Sequence, residues 1–384
     1  MRRLRGERGA MAVLIAVLMV VFFGAVTIVV DVGALYWERR ELQNGADGAA
    51  LAVARDCAIG VYACPPGTAA DPASAAFVLA GAYADTNAND REANLGHPDR
   101  PACSSSTDGV SQEGVCYGSG EVTVTTTTRD SDGNSSLSHF FAPVLSRLLG
   151  ADPRDSTRVG AAATAAWGSP SSLATVPIVM STCEYDLYTN SGTSFAQPDF
   201  YDDTERTLKL HDPSNAAAAQ CPVGPAGMDA NGDGKLPAGF GWLETDASCN
   251  VVTTTVGADQ WVTKNSGNNP ACNDAVLFAR FTPGTTVAIP IFGDFCRPSQ
   301  TPPPTCPDFN NRDKYRIVSY AAFYISGYRL GGANDYHKTD NVYRTTVPCA
   351  SNERCITGYF TTMTITDGDL GGPPGSVKIV KLTR

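Results

Sequence analysis

Charge, histidine and the usual catalytic signatures are all scarce in this sequence. Only 18% of its 384 residues are charged, and the four histidines, His97, His139, His211 and His337, stand apart from one another. No HExxH, GxSxG or GxxxxGKS/T pattern occurs, which removes the common zinc-protease, serine-hydrolase and phosphate-loop chemistries. CxxC is missing too, and no histidine lies near two cysteines, so the thiols are not expected to hold zinc. Acidic pairs such as Asp202 with Asp203, or Asp367 with Asp369, have nothing to position them and read as exposed turns rather than a glycosidase pair. The chain is therefore expected to be neither an enzyme nor a binder of a small-molecule substrate.

Positive charge is short outside one place. The net charge is −10, yet the first nine residues carry Arg2, Arg3, Arg5 and Arg8 against Glu7, so the remaining body is more acidic still. An acidic body excludes nucleic acid as a partner. With 37 glycines and 25 prolines beside so little charge, loop-rich β structure is favoured over a helical bundle.

Cysteine, by contrast, is abundant. All twelve cysteines follow the N-terminal apolar run, and an even number on an exported chain points to disulfides. The intervals suggest local pairs: Cys57 with Cys64, Cys103 with Cys116, Cys249 with Cys272, Cys296 with Cys306, and Cys349 with Cys355. Cys183 and Cys221 remain for each other. Spacing alone does not fix this connectivity.

Ala10 to Val30 is a run of 21 residues without a charge. As a helix it would span about 31 Å, one hydrocarbon core. The four arginines before it place its N-terminus in the cytoplasm and the rest of the chain outside. Tyr36 and Trp37 fall where the outer interfacial belt should lie. A cleaved signal peptide is the alternative, with Val32-Gly33-Ala34 as the cleavage site, but its apolar region is normally about 7–15 residues.

Beyond the apolar run the helical pattern continues. Val32, Leu35, Leu42, Ala46, Ala49, Ala50 and Val53 recur at helical spacing, with Glu38, Arg39, Glu41, Gln43 and Asp47 between them. Such a stripe lies either on the protein's own body or on a helix of another subunit. Asp31, at the edge of the apolar run, either reaches interfacial water or pairs with a neighbouring helix.

These features together resemble the N-terminal segment of TadE/TadG-like pilus-assembly proteins. The shared pattern is Arg8-Gly9-Ala10 before the apolar run, Asp31 closing it, then Arg40, Leu42, Gln43, Asn44, Ala46, Asp47, Ala49, Ala50 and Leu51. The resemblance implies a single-pass membrane protein of the tight-adherence system that builds Flp-type pili. Its partners would be the membrane, the assembly platform or pilin subunits, contacted through Asp31, Leu42, Asn44, Ala46, Asp47 and Ala50. Prepilins are cut after a glycine and carry Glu five residues later, whereas here Leu14 holds that position relative to Gly9. That departure argues against prepilin processing and suits the TadG-like branch. The DxSxS metal motif of a von Willebrand A domain, found in longer TadG-like proteins, is absent, since "DGNSS" at 132–136 lacks the needed serine.

The expected fold class is α+β. A cytoplasmic basic end (1–9), a transmembrane helix (10–30) and a juxtamembrane helix (31–56) lead into a small pilin-like α+β module (57–170). A β-rich, disulfide-stapled domain, sandwich or barrel, follows (171–384). In the module, residues 71–87 read as a helix capped by Asp71 or its neighbour, Glu121 onward as a strand, 135–150 as an amphipathic helix, and 156–168 as a returning strand. "GSPSS" at 168–172 reads as a joint. Strands are expected from "ATVPIVMSTCEY", "CNVVTTTVG", "TTVAIPIFGDF", "YRIVSYAAFYISGYRL", "CITGYFTTMTIT" and "SVKIVKLTR".

One cofactor suggests itself. Asp229, Asn231 and Asp233, with Gly234 at the turn, copy the first half of a calcium loop. Phe240 stands where the bidentate Glu should be, and Glu244 comes four residues late. An ordinary Asx-rich turn explains the same residues. A competing functional class is a surface adhesin or glycan-binding module on the same anchor, in which Trp242, Trp261 and Tyr336 in loops would make the contacts.

Overall fold

The computed structural model describes residues 7–88, 91, 93–95, 114–129, 137–139, 141, 143, 146–147, 156–196, 205–210, 220–222, 235–237, 239–245, 252–257, 260–265, 282–296, 312–331, 334–337 and 353–383. These form an α+β protein with two compact units, Met1–Ala166 with Lys381–Arg384, and Trp167–Val380.

The first unit is built on one helix. Helix α1 (Glu7–Ala58) runs unbroken for 52 residues, about 78 Å at 1.5 Å per residue. From Ala10 to Val30 it carries no charge, and beyond Asp31 it alternates small apolar with polar side chains; both patterns suit a helix. The Cys57–Cys64 disulfide, with Cα atoms 5.8 Å apart, staples its C-terminal end to the chain that follows. Helix α2 (Ala75–Asn87) is alanine-rich and buries Ala76, Ala80 and Ala84, one side at a spacing of four. Its cap is Ser74, whose hydroxyl accepts from the Phe77 N–H. The expected cap, Asp71, accepts instead from the Ala73 N–H at 2.8 Å, forming a turn before the helix and moving its start to Ala75.

The sheet beneath these helices contains β1 (Thr68–Ala69), β2 (Ala93–Leu95), β3 (Gly114–Gly118) and β4 (Glu121–Thr128). β5 (Leu137–Ser138) and β6 (Ser156–Thr157) form a separate two-residue pair, and β7 (Gly160–Gly168) lies beside β4. These strands run in the order β1-β3-β4-β7, each of these pairings antiparallel, with β2 pairing the far end of β4. At the other end of the chain, the Thr383 N–H donates to the Thr164 carbonyl. The helix expected over 135–150 does not start where its amphipathic pattern starts, because Leu137 and Ser138 are strand residues paired with Thr157 and Ser156. The joint expected at 168–172 is strand too, since Gly168 ends β7 and Pro170 opens the next strand.

The second unit is a mixed sheet dominated by two long strands. Lys314–Gly331 pairs antiparallel with Thr285–Cys296 on one side and with Cys355–Thr361 on the other. Arg206–Lys209 extends one edge, and Ile178–Ser181 followed by Phe240–Trp242 extends the other. The β-branched and aromatic runs of the sequence are these strands, and both faces of the sheet are covered. Ile289, Ile291, Phe323 and Ile325 pack on one side with Ile178, Met180 and Phe240. Phe292, Phe295, Tyr315 and Ile317 pack on the other. The segment "STCEY", expected to continue a strand, turns into a helix at Thr182–Thr189, with the Ser181 hydroxyl accepting from the Cys183 N–H.

That short helix carries a buried acid. Glu184 accepts from the Gly239 N–H, while its other carboxyl oxygen is buried with no hydrogen-bond partner among the described residues. Burial pushes the carboxyl up from 4.5 to about 7, against the opposing pull of backbone N–H groups. The folded protein therefore holds a proton that the unfolded chain has released. This contribution to stability is full below about 4.5 and is lost as pH rises through about 7. Glu184→Gln is expected to flatten the pH dependence of the denaturation midpoint across that window; an unchanged slope would assign it to other groups.

Candidate functional site

The polarity of α1 changes at Asp31. From Met11 to Val30 the large apolar side chains are 40% to 71% exposed, and an 18-residue window of mean hydropathy 3.1 is wholly uncovered by the rest of the described chain. By length and composition this half can cross a bilayer. From Asp31 onward, one side of the same helix is covered by its own unit.

That covering is specific. Leu42, Ala46, Ala49, Ala50, Val53 and Ala54 are each 2% exposed or less. Strand β4 runs past the helix with Thr128 donating to the Glu38 carboxylate and Thr126 donating at 2.9 Å to the Leu42 carbonyl. Gln43 reaches across to the Ala162 carbonyl at 3.1 Å and along the helix to Asp47 at 2.8 Å. Helix α2 lies against the glycine side: a Cβ added to Gly45 would stand 3.2 Å from both the Cα and the carbonyl oxygen of Ala84. The small residues of α1 thus admit a second helix backbone at close range.

These facts sort the six residues expected to contact a partner. Leu42, Ala46 and Ala50, expected as partner contacts, are buried within their own unit. Asn44 is exposed and Asp47 half-buried, on the rim of the helix. Asp31 is 7% exposed, and both its oxygens accept from the Phe141 N–H at 3.3 Å. Within its own unit it is thus held to the backbone at Phe141. Phe141 carried no signal in the sequence beyond lying in an apolar stretch.

What α1 and α2 leave open is a shallow groove of about 370 Å³ lined by Gly48, Leu51, Ala52, Arg55, Asp56, Leu79 and Tyr83. Residues 9–56 match the family model Putative Flp pilus-assembly TadE/G-like. The TadE/G-like segment is therefore α1 itself, its apolar half and its packed half together, stopping one residue before the Cys57 staple. Val78 and Tyr83 of α2, beyond the TadE/G-like segment, stand 61% and 45% exposed. No curated protein and no solved structure was found to match the chain.

The other expected sites fare differently. Asp229, Asn231 and Asp233 lie outside the described residues, and Glu244, the late carboxylate, forms an ion pair with Arg312. Trp242 is not a loop residue but a core residue on strand Phe240–Trp242, 2% exposed, and Trp261 is a half-buried strand residue. Tyr336 lies on strand Asn334–His337. Asp367 and Asp369 are exposed on either side of Gly368, and Asp369 opens a short strand paired with Ser172. Cys116, Cys183, Cys296 and Cys355 are disulfide-bonded. Cys103, Cys249, Cys272, Cys306 and Cys349 lie outside the described residues, and only the backbone of Cys221 is described.

Proposed function

We propose that this protein is a membrane-anchored, non-enzymatic component of Flp-type pilus assembly that works through protein contacts outside the membrane. The observation that carries this reading is the coincidence of the TadE/G-like match with one unbroken helix, bare over its apolar half and packed over the rest. The basic residues before the apolar half favour a cytoplasmic N-terminus, with the chain beyond the apolar half outside the cell membrane. A long helix laid over an antiparallel sheet supports treating the first unit as pilin-like. Assembly-platform proteins or pilin subunits are the partners, and the rim of α1 at exposed Asn44 and half-buried Asp47, with the groove beside α2, is the surface offered to them.

The test is a count of surface filaments by electron microscopy in a strain lacking the gene, with and without complementation. Loss of filaments, restored by the full-length protein, is the expected result. A normal count removes the assembly role. Exchanging residues 10–30 for an unrelated membrane helix then separates anchor from body: an adhesin keeps its surface binding after the exchange, whereas an assembly factor that uses the segment in the membrane loses piliation.

A further inference from the structure

We propose that the body of this protein makes a second membrane contact of its own: the loop at Phe141 seats in the outer interfacial layer of the bilayer, held there by Asp31. This rests on residues 10–30 spanning the membrane. The position follows from one hydrogen bond. Asp31 ends the charge-free run, so in an unbroken helix of about 1.5 Å per residue it sits at the outer edge of a roughly 30 Å hydrocarbon core. The Phe141 N–H lies 3.3 Å from both carboxylate oxygens of Asp31. Phe141 is therefore level with that edge, and the residue is 45% exposed. An exposed phenylalanine at this depth faces acyl-chain tops and glycerol rather than bulk water.

The neighbours hold it there. Leu137, four residues earlier, joins the cluster containing Leu35 and Leu42 on α1. His139 hydrogen-bonds the Thr157 hydroxyl at 2.8 Å, beside the β5–β6 pair. The loop thus approaches the membrane from a folded base. Asp31 gains as well: a carboxylate at this depth is costly unless covered and hydrogen-bonded, and the loop leaves it 7% exposed. Tyr36 and Trp37 are 77% and 65% exposed. Five and six residues past Asp31, they lie about 140° and 120° round the helix from it, in opposite senses. With Phe141 on the Asp31 side, aromatic side chains stand on three sides of the helix at its exit from the membrane, an interfacial belt completed by the body.

The experiment uses full-length protein in phosphatidylcholine vesicles, some carrying lipids brominated near the top of the acyl chain. Phe141→Trp adds one indole to the four tryptophans already present, and its emission is read as the difference from the parent. The expected result is quenching of the added emission by brominated lipid, with protection from aqueous acrylamide. Asp31→Ala is expected to abolish that protection, and Asp31→Asn, which keeps an acceptor, to preserve it. Acrylamide quenching of the added tryptophan in protein that still floats with vesicles overturns the second contact and leaves the anchor standing. Protection unchanged in Asp31→Ala overturns the role of Asp31. Failure of the parent to float removes the anchor and this inference with it.

Discussion

Replacing Gly45 by leucine is expected to separate α2 from α1 and to abolish filament formation while leaving the protein in the membrane. At this position the backbone of α2 comes so close that even a methyl group would stand 3.2 Å from the Cα and carbonyl oxygen of Ala84. Neither atom belongs to a flexible side chain, so the helices must yield as units. Two effects compete. Glycine inside a helix costs about 1 kcal/mol relative to alanine, so Gly45→Ala regains roughly what its tight contact loses. Leucine brings three more carbons into an interface with no space for them, and overpacking of this kind costs typically 1–3 kcal/mol or more. The expected pattern is a near-neutral alanine and a disruptive leucine, read by protease resistance of the first unit in detergent and by filament counts. The apolar half of α1 is untouched, so membrane fractionation should not change. Equal tolerance of both substitutions would show that α1–α2 packing is not required.

Gly358→Ala is expected to unfold the second unit. Gly358 sits within Cys355–Thr361, a strand paired on both sides, opposite Ile325 on one neighbour and Arg206 on the other. A Cβ there would lie 1.9 Å from the carbonyl oxygen of Tyr324 and 2.7 Å from the Phe323 ring. No rotamer change relieves a collision with backbone, so the ladder itself must break. The backbone irregularity between Ile325 and Gly327 on the facing strand shows where the glycine lets the two chains close up. A loss beyond about 4 kcal/mol places such a change among the exceptional single substitutions. Loss of the cooperative denaturation transition of residues 167–380, with the first unit still protease-resistant, is the expected observation. A folded Gly358→Ala protein would mean that the strand can shift register, and that Phe323 and Tyr324 are less confined than their burial indicates.

Local chemistry was readable where one residue's pattern dictates its own surroundings. The apolar run of α1, the alternation through β4 and the β-branched runs of the second unit all appear where periodicity and propensity put them. Boundaries were less legible because two polar residues competed for one role. Asp71 and Ser74 both suit a cap, and the choice fell to Ser74 once Asp71 had taken the Ala73 amide. At Ser181 a strand-like run hides a helix start, although the spacing from Ser181 to Glu184 is that of a capping box. In the structure, Glu184 turns to the Gly239 amide instead, a partner 55 residues away that no local rule names.

The same distinction governs the candidate site. Sequence alone determined that α1 has an apolar half able to cross a bilayer and a striped half with one face to bury, since both follow from the order of side chains on a helix. It also pointed to the TadE/G-like segment, whose signature is contained within residues 9–56. Tertiary structure alone decided what buries the stripe. Leu42 meets Thr126 across 84 residues of chain, Gly45 meets Ala84, and Asp31 meets Phe141 across 110 residues. A periodic face states that apolar area must leave water, because that gain scales with the area removed and has no direction. Which surface covers it depends on close packing and on hydrogen bonds between distant residues, and those exist only once the chain has folded.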